Sequence, residues 1–238
     1  MIRQREKAIE RMKTEIVSLT AHQLRVPLSA IKWMLKMLLS GDLGRITQKQ
    51  KGFIEKIYDS NEKMISLITE LLDVARIEEG RYIFKTALSD MEKVVLSIIS
   101  LYKKEIERKK LKFEFEKPEK KLPKIQIDEE KIKLAINNLL DNAIKYTLPG
   151  GRVKIGLSYG IKEIGFRIQD SGVGIPKNQQ KRVFSKFFRG SNITKTETEG
   201  IGLGLFIIKN IIEAHGGKIW FKSKENKGTT FYFTLPIK

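Results

Sequence analysis

The chain has 238 residues, 41% of them hydrophobic, with 46 Lys plus Arg against 28 Asp plus Glu, two histidines and no cysteine. This length builds one large or two modest cores, and without cysteine there is no disulfide framework and no thiolate site. The +18 charge suits polyanions, but the lysines are scattered with no basic block and no interleaved aromatics, so nucleic acid is not an expected partner. No apolar run approaches the roughly 18 residues of a membrane span and the charged N-terminus is no signal peptide, so a soluble chain is expected.

From Ile9 to Met37 two apolar stripes run side by side at 3,4 spacing. One is Ile9, Met12, Ile16, Leu19, Gln23, Val26, Ala30, Trp33 and Met37; the other is Leu24, Leu28, Ile31, Leu35 and Leu38. "SGDLGRIT" breaks this helix, and a second doubly striped one follows, carrying Phe53, Ile57, Met64, Leu67, Leu71 and Val74 beside Ile54, Tyr58, Ile65, Ile68, Leu72 and Ala75. One hairpin cannot bury four stripes, so two hairpins packed as a dimeric four-helix bundle are predicted. The register of the opening residues predicts the end of a longer coiled coil, with more protein before Met1. His22, Arg25, Ser29, Lys32 and Lys36 recur outside the stripes, which places His22 at the solvent margin. A core histidine is disfavoured there and a metal site lacks partners, leaving a nucleophile if a phosphoryl donor is at hand. Pro27, five residues on, removes one helical N–H and is expected to kink the helix.

The pattern changes near Gly80, which divides the chain into 1–80 and 81–238. Alternation in Val153, Ile155, Leu157 and Tyr159, in Ile164, Phe166 and Ile168, and in Phe231, Phe233 and Leu235 predicts strands with one buried face. Helices are predicted over roughly 90–109, 129–147 and 201–215, the last stopped by Gly216 and Gly217. This half is a mixed α/β layer with helices on one face of a sheet.

In the 129–147 helix, Asn138, Asn142 and Lys145 lie opposite the apolar stripe Ile132, Ile136, Leu139 and Ala143. Two amides and an ammonium on one face suit a hydrated magnesium ion carrying phosphates; solvated asparagines are the alternative. "DSGVGIP" offers the Asp170 carboxylate to an amino group and two glycines, Gly172 and Gly174, to a close turn. "EGIGLGLFIIKN" puts Gly200, Gly202 and Gly204 ahead of an apolar helix, where backbone N–H groups attract phosphate. Between these clusters lies a long segment that reads as a lid, with Phe184, Phe187 and Phe188 as anchors and Arg189 able to reach phosphates. His215 ends its helix before two glycines, where a histidine is commonly structural.

In this order "NNLLDNAIKYT", "DSGVGIP", "VFSKFFRG", "GIGLGL" and "KGTTF" resemble the N, G1, F, G2 and G3 boxes of the ATP-binding domain of sensor histidine kinases, and "AHQLRVPL" resembles their H box. The resemblance runs from about residue 10 to the end. It implies α plus α/β architecture: an antiparallel helical hairpin dimerising into a four-helix bundle, then an α/β sandwich of the Bergerat type. It further implies ATP and Mg2+ as cofactors, a homodimer, and His22 as phosphoacceptor with Gln23, Arg25 and Arg189 in support. Asn142 is the expected magnesium ligand, Asp170 the reader of the adenine amino group, and Asn138, Lys145, Tyr146, Gly172, Gly174, Gly200, Gly202, Gly204, Leu205 and Thr230 the remaining nucleotide contacts. The phosphoryl group would pass to an aspartate of a response-regulator receiver domain, in the cytoplasm, with a sensor or membrane anchor before Met1. Two positions depart from the family pattern. Gln23 stands where an acidic residue is usual and cannot accept a proton, and Val26 stands where Thr or Asn is usual and lacks the group that positions water for dephosphorylation. Another ATPase of the same superfamily would share the nucleotide boxes without the hairpin, and a non-catalytic scaffold would bind nucleotide without transfer.

Overall fold

The computed structural model describes residues 2–118, 120–191 and 200–237, without the side chains of 2–14 and 16, so the predicted stripe positions Ile9, Met12 and Ile16 lie outside the described side chains. The chain forms two compact units, Met1–Tyr82 and Ile83–Lys238.

The first unit is a helical hairpin of α1 (Ile2–Ser40) and α2 (Gln48–Glu78). Gly41 and Gly44, both at positive φ, turn the chain between them. Thr47 then starts α2 with a capping box, accepting from Gln50 N–H while the Gln50 side chain accepts from Thr47 N–H. Gly80 stops α2 in a Schellman arrangement, with Arg81 N–H donating to Arg76 O and Gly80 N–H to Ile77 O.

Within the hairpin Ala21, Leu28 and Leu35 of α1 are buried. The other predicted stripe of α1 stays open in the single chain: Leu19, Val26 and Trp33 are 62%, 64% and 63% exposed, as are large parts of Phe53, Ile57 and Met64 on α2. Polar links tie the helices together. Arg25 Nη2 donates to Thr69 Oγ1 at 3.1 Å, Lys32 Nζ pairs with Glu62 Oε2 at 2.9 Å, and the buried Asn61 amide donates to Leu28 O at 3.0 Å. The predicted polar stripe is thus not wholly solvated, since Arg25 and Lys32 reach across to α2. Asn61 Oδ1 and Glu62 Oε1 are buried without a partner among the described residues, each a cost on the order of 1–3 kcal/mol.

The second unit carries a five-stranded sheet in the order β2 (Lys112–Glu116), β4 (Arg152–Tyr159), β5 (Glu163–Asp170), β7 (Gly228–Pro236), β6 (Lys218–Lys224), antiparallel except for β2 beside β4. A small second sheet pairs β1 (Ala87–Ser89) with β3 (Ile125–Ile127). The helices are α3 (Met91–Leu101), α4 (Lys103–Arg108), α5 (Glu129–Tyr146) and α6 (Gly204–Ala214). One face of the sheet packs Val153, Ile155, Ile164, Phe166, Ile168 and Phe233 beneath Ile132, Ile136, Leu139, Ile208 and Ile212, all essentially inaccessible. Among the described residues of this unit the opposite face bears no helix and opens into a hollow of about 1330 Å³ over Gly156, Gly165, Arg167 and the stacked pair Trp220 and Tyr232.

Two predicted helices change and four strands are added. The helix over 90–109 divides at Tyr102, which leaves the helical region with φ −98 and ψ 2. The 201–215 helix begins only at Gly204, because Gly202 takes φ +76. Strands β1, β2, β3 and β6 were not predicted, although "KFEFE" in β2 does alternate.

Candidate active site

Glycine contacts draw the predicted nucleotide boxes into one cluster. A methyl group on Gly172 would stand 2.3 Å from Tyr146 O, so only glycine lets the loop after β5 lie against the end of α5, where Val173 N–H reaches Tyr146 O. At Gly202 a methyl would stand 2.5 Å from Phe188 O, which binds the turn before α6 to the phenylalanine segment. Gly204, first residue of α6, faces Asn138 Oδ1 of α5 closely enough that a methyl would meet it at 2.9 Å.

Asp170 ends β5 beneath this cluster. Its Oδ1 accepts from Gly172 N–H at 2.8 Å and Thr229 N–H at 3.2 Å. Burial pushes its pKa up to about 6, and the backbone donors from Gly172 and Thr229 oppose that rise. The carboxyl is therefore mostly ionised at neutral pH, with Oδ2 remaining to meet a ligand. Thr230, predicted as a nucleotide contact, is not brought to Asp170. Strand alternation turns it to the helix-free face with Tyr232 and Thr234, and Thr229 takes its place, its hydroxyl 2.9 Å from Ser223 Oγ.

On α5, Asn138, Asn142, Lys145 and Tyr146 are half-buried along one edge. Asn138 Nδ2 donates to Leu134 O, which leaves its oxygen toward Gly204. Lys145 Nζ lies 5.8 Å from the Tyr146 ring centre. The starts of α6 and of the short α4 differ from those of α3 and α5 in having no side-chain cap. Asp90 caps α3 and Asp128 caps α5 through side-chain oxygens, but Leu203 supplies no side-chain cap to α6. The first N–H groups of α6, at Gly204 and Leu205, are thus left by side chains for an anion, with the positive end of the helix dipole behind them.

In the predicted lid, a 3₁₀ turn at Lys177–Arg182 leads to Phe184, which packs edge-on against Phe221 and Phe231. Phe187 is instead exposed, at φ +59, and does not anchor. Phe188 lies under Arg182, and Arg189 is half-buried beside it. Gly174 turns at φ +65 after Asp170, and Gly200 borders the segment 192–199, which lies outside the described residues.

In the hairpin unit His22 and Gln23 are exposed on α1 and Arg25 is half-buried against α2. His215 is buried: Nε2 accepts from Asp128 N–H at 2.9 Å, Nδ1–H donates to Ile211 O at 2.7 Å, and Phe84 meets the ring edge-on. Nε2 joins the end of α6 to the start of α5 and Nδ1 closes the last turn of α6, so both nitrogens are engaged and His215 is structural. Sequence reading missed Thr229, whose N–H meets Asp170 and which is legible only once the strand's facing is fixed.

Known proteins carry the same two parts. Residues 12–80 match the family described as His Kinase A (phospho-acceptor) domain, and residues 127–238 match histidine kinase-, DNA gyrase B-, and HSP90-like ATPase. The adaptive-response sensory kinase SasA of Synechococcus sp. (strain JA-3-3Ab) is 32% identical over 227 residues, covering 94% of this chain and 59% of its own length. The chain therefore spans little more than half of that relative. The catalytic domain of the histidine kinase ThkA is 30% identical with a TM-score of 0.57, covering 64% of this chain and 96% of that one. ThkA in complex with the response regulator TrrA has a TM-score of 0.63 at 24% identity, covering 99% of this chain and 65% of that one, a likeness of fold. With both family matches in order along one chain, and a kinase catalytic domain matched over nearly its full length, this protein belongs to the sensor histidine kinases.

Proposed function

We propose that this chain is the dimeric cytoplasmic core of a sensor histidine kinase, phosphorylating His22 from ATP and passing the phosphoryl group to an aspartate of a response-regulator receiver domain. Residues 1–80 serve as dimerisation and phosphotransfer domain and residues 81–238 as catalytic domain. The observation that carries the reading is the convergence of a buried carboxylate, two amides, an ammonium and an uncapped helix N-terminus in one unit, on a chain that also exposes a histidine on a helical hairpin.

Asp170 would accept a hydrogen bond from the adenine amino group through Oδ2, and the start of α6 with Arg189 would hold phosphate charge. The donor set fits magnesium as a partly hydrated ion: Asn142 would supply one hard amide oxygen, which leaves room for phosphate oxygens and for the waters that this cation keeps. When bound, Mg2+ neutralises charge that develops on the phosphates. The neutral imidazole of His22 then attacks the γ-phosphorus in line; the nitrogen–phosphorus bond forms as the bond to the β,γ-bridging oxygen breaks and ADP leaves. Gln23 can orient the ring by hydrogen bonding but takes no proton. Val26 brings no hydroxyl, so removal of phosphate from the regulator is weak in this chain.

The receiver partner is supported by the solved complex of ThkA with its response regulator. No helix among the described residues is long and apolar enough to cross a membrane. Incubation of the full chain with γ-labelled ATP and magnesium should give an acid-labile, base-stable label that His22→Gln abolishes. A label that persists in His22→Gln would falsify the assignment.

A further inference from the structure

Inside the hairpin Asn61 has no role in the reading so far. Asn61 is 1% exposed, its Nδ2 donates to Leu28 O at 3.0 Å, and its Oδ1 has no partner among the described residues. A leucine would fill similar space without burying an unpaired amide oxygen, so packing does not account for asparagine here. Its position does. Leu28 directly follows Pro27, the proline inside α1. Pro27 has no N–H for the Gln23 carbonyl and its ring crowds that carbonyl, so α1 is least self-supported between Gln23 and Pro27. His22 stands at the edge of that weak turn.

α2 grips α1 on both sides of it. Ahead of Pro27, Thr69 receives Arg25; beyond it, Asn61 holds Leu28 O and Glu62 pairs with Lys32. The Arg25 and Lys32 links run through long, partly solvated side chains that follow small backbone shifts. Asn61 is short, buried and bonded to the backbone itself, so it fixes the course of the helix.

We propose that Asn61 is a positioning residue for phosphorylation of His22: by holding the Leu28 carbonyl it sets the angle of α1 at Pro27, and so the line along which the imidazole meets phosphorus. The inference rests on the reading of His22 as phosphoacceptor. In-line transfer tolerates little misplacement, so releasing the hold lowers kcat, whereas KM for ATP, bound by the other unit, stays.

The test is autophosphorylation of the dimer of this chain by ATP and magnesium for the parent, Asn61→Leu and Asn61→Asp, each variant expressed relative to the parent from about pH 6 to about pH 8.5. Asn61→Leu should lose about ten-fold or more in kcat with KM for ATP within about two-fold, at every pH. Asn61→Asp should behave differently, because a protonated carboxyl can donate to Leu28 O and a carboxylate cannot, and burial raises the pKa of an aspartate. Its relative rate should climb as pH falls. Parental rates in both variants, a relative rate of Asn61→Asp as flat with pH as that of Asn61→Leu, or loss of the dimer in both at all pH values would overturn the proposal. An unlabelled parent would instead overturn the His22 reading and this inference with it, whereas a labelled parent beside unaffected variants overturns this inference alone.

Discussion

The two units treat their apolar residues in opposite ways. In the α/β unit Ile132, Ile136, Leu139, Phe166 and Phe233 are all but inaccessible, whereas in the hairpin Leu19, Val26, Trp33, Phe53 and Ile57 are more than half exposed. One unit closes its core within a single chain. The other has heptad stripes that a single chain leaves open, and each large apolar side chain covered by a second copy adds roughly 1.5–3 kcal/mol. The difference also divides the chemistry: the closed unit brings the candidate nucleotide residues together in fixed geometry, and the open one carries its histidine on the exposed surface of a hairpin.

The largest test of this contrast is oligomeric. Replacing Leu19 and Trp33 together with Glu should convert the dimer to monomer by sedimentation velocity while nucleotide affinity persists; a dimer retained in that variant would mean the exposed stripes do not form the interface. In the α/β unit the corresponding change is energetic. Leu139→Ala should cost about 2–5 kcal/mol in denaturant unfolding of that unit's transition, against under about 1 kcal/mol for Phe53→Ala measured on the monomeric variant.

Val26 gives a smaller effect confined to one reaction. Threonine nearly matches valine in size and shape and adds a hydroxyl, and Val26→Thr should speed decay of the phosphorylated regulator by about ten-fold to a few hundred-fold, since one oriented hydrogen bond is worth roughly 1–3 kcal/mol. Autophosphorylation should keep the same order. Equal decay with Val and Thr, both above the regulator alone, would assign water positioning to another group.

The smallest effect is the pH dependence of Asp170. Its pKa rises from 3.8 to about 6 on folding, so its contribution to stability is present below 3.8 and is lost as pH rises through about 6. Adenine recognition needs the ionised form and so runs the other way, with ATP affinity falling several-fold between about pH 7 and about pH 5.5. Asp170→Asn should bind more weakly at neutral pH and flatten the profile relative to the parent. A parent and variant with parallel profiles in calorimetry would remove Asp170 from the pocket.

What the sequence disclosed follows the same division. The hairpin's helices and its surplus of apolar stripes were legible because 3,4 spacing persists over many turns. Asp170 and the glycines were legible as short motifs. Strands β1 and β3 were not, being three residues each, and β6 mixes lysines with Trp220 and Phe221 at a sheet edge where half its side chains face solvent. Thr230 was misplaced by one residue because a motif gives no strand facing, and one step along a strand changes the face. Asn61 was invisible because its meaning lies in Leu28, far off in sequence.

The most direct measurement labels the dimer with γ-labelled ATP, crosslinks a photoreactive ATP analogue to a parallel sample, and then cleaves both near residues 80–83 under basic conditions. The phosphate should travel with the hairpin fragment, on the peptide that contains His22, and the crosslinked nucleotide with the α/β fragment. Phosphate recovered on the α/β fragment, or on a hydroxyl side chain of either, would contradict the account.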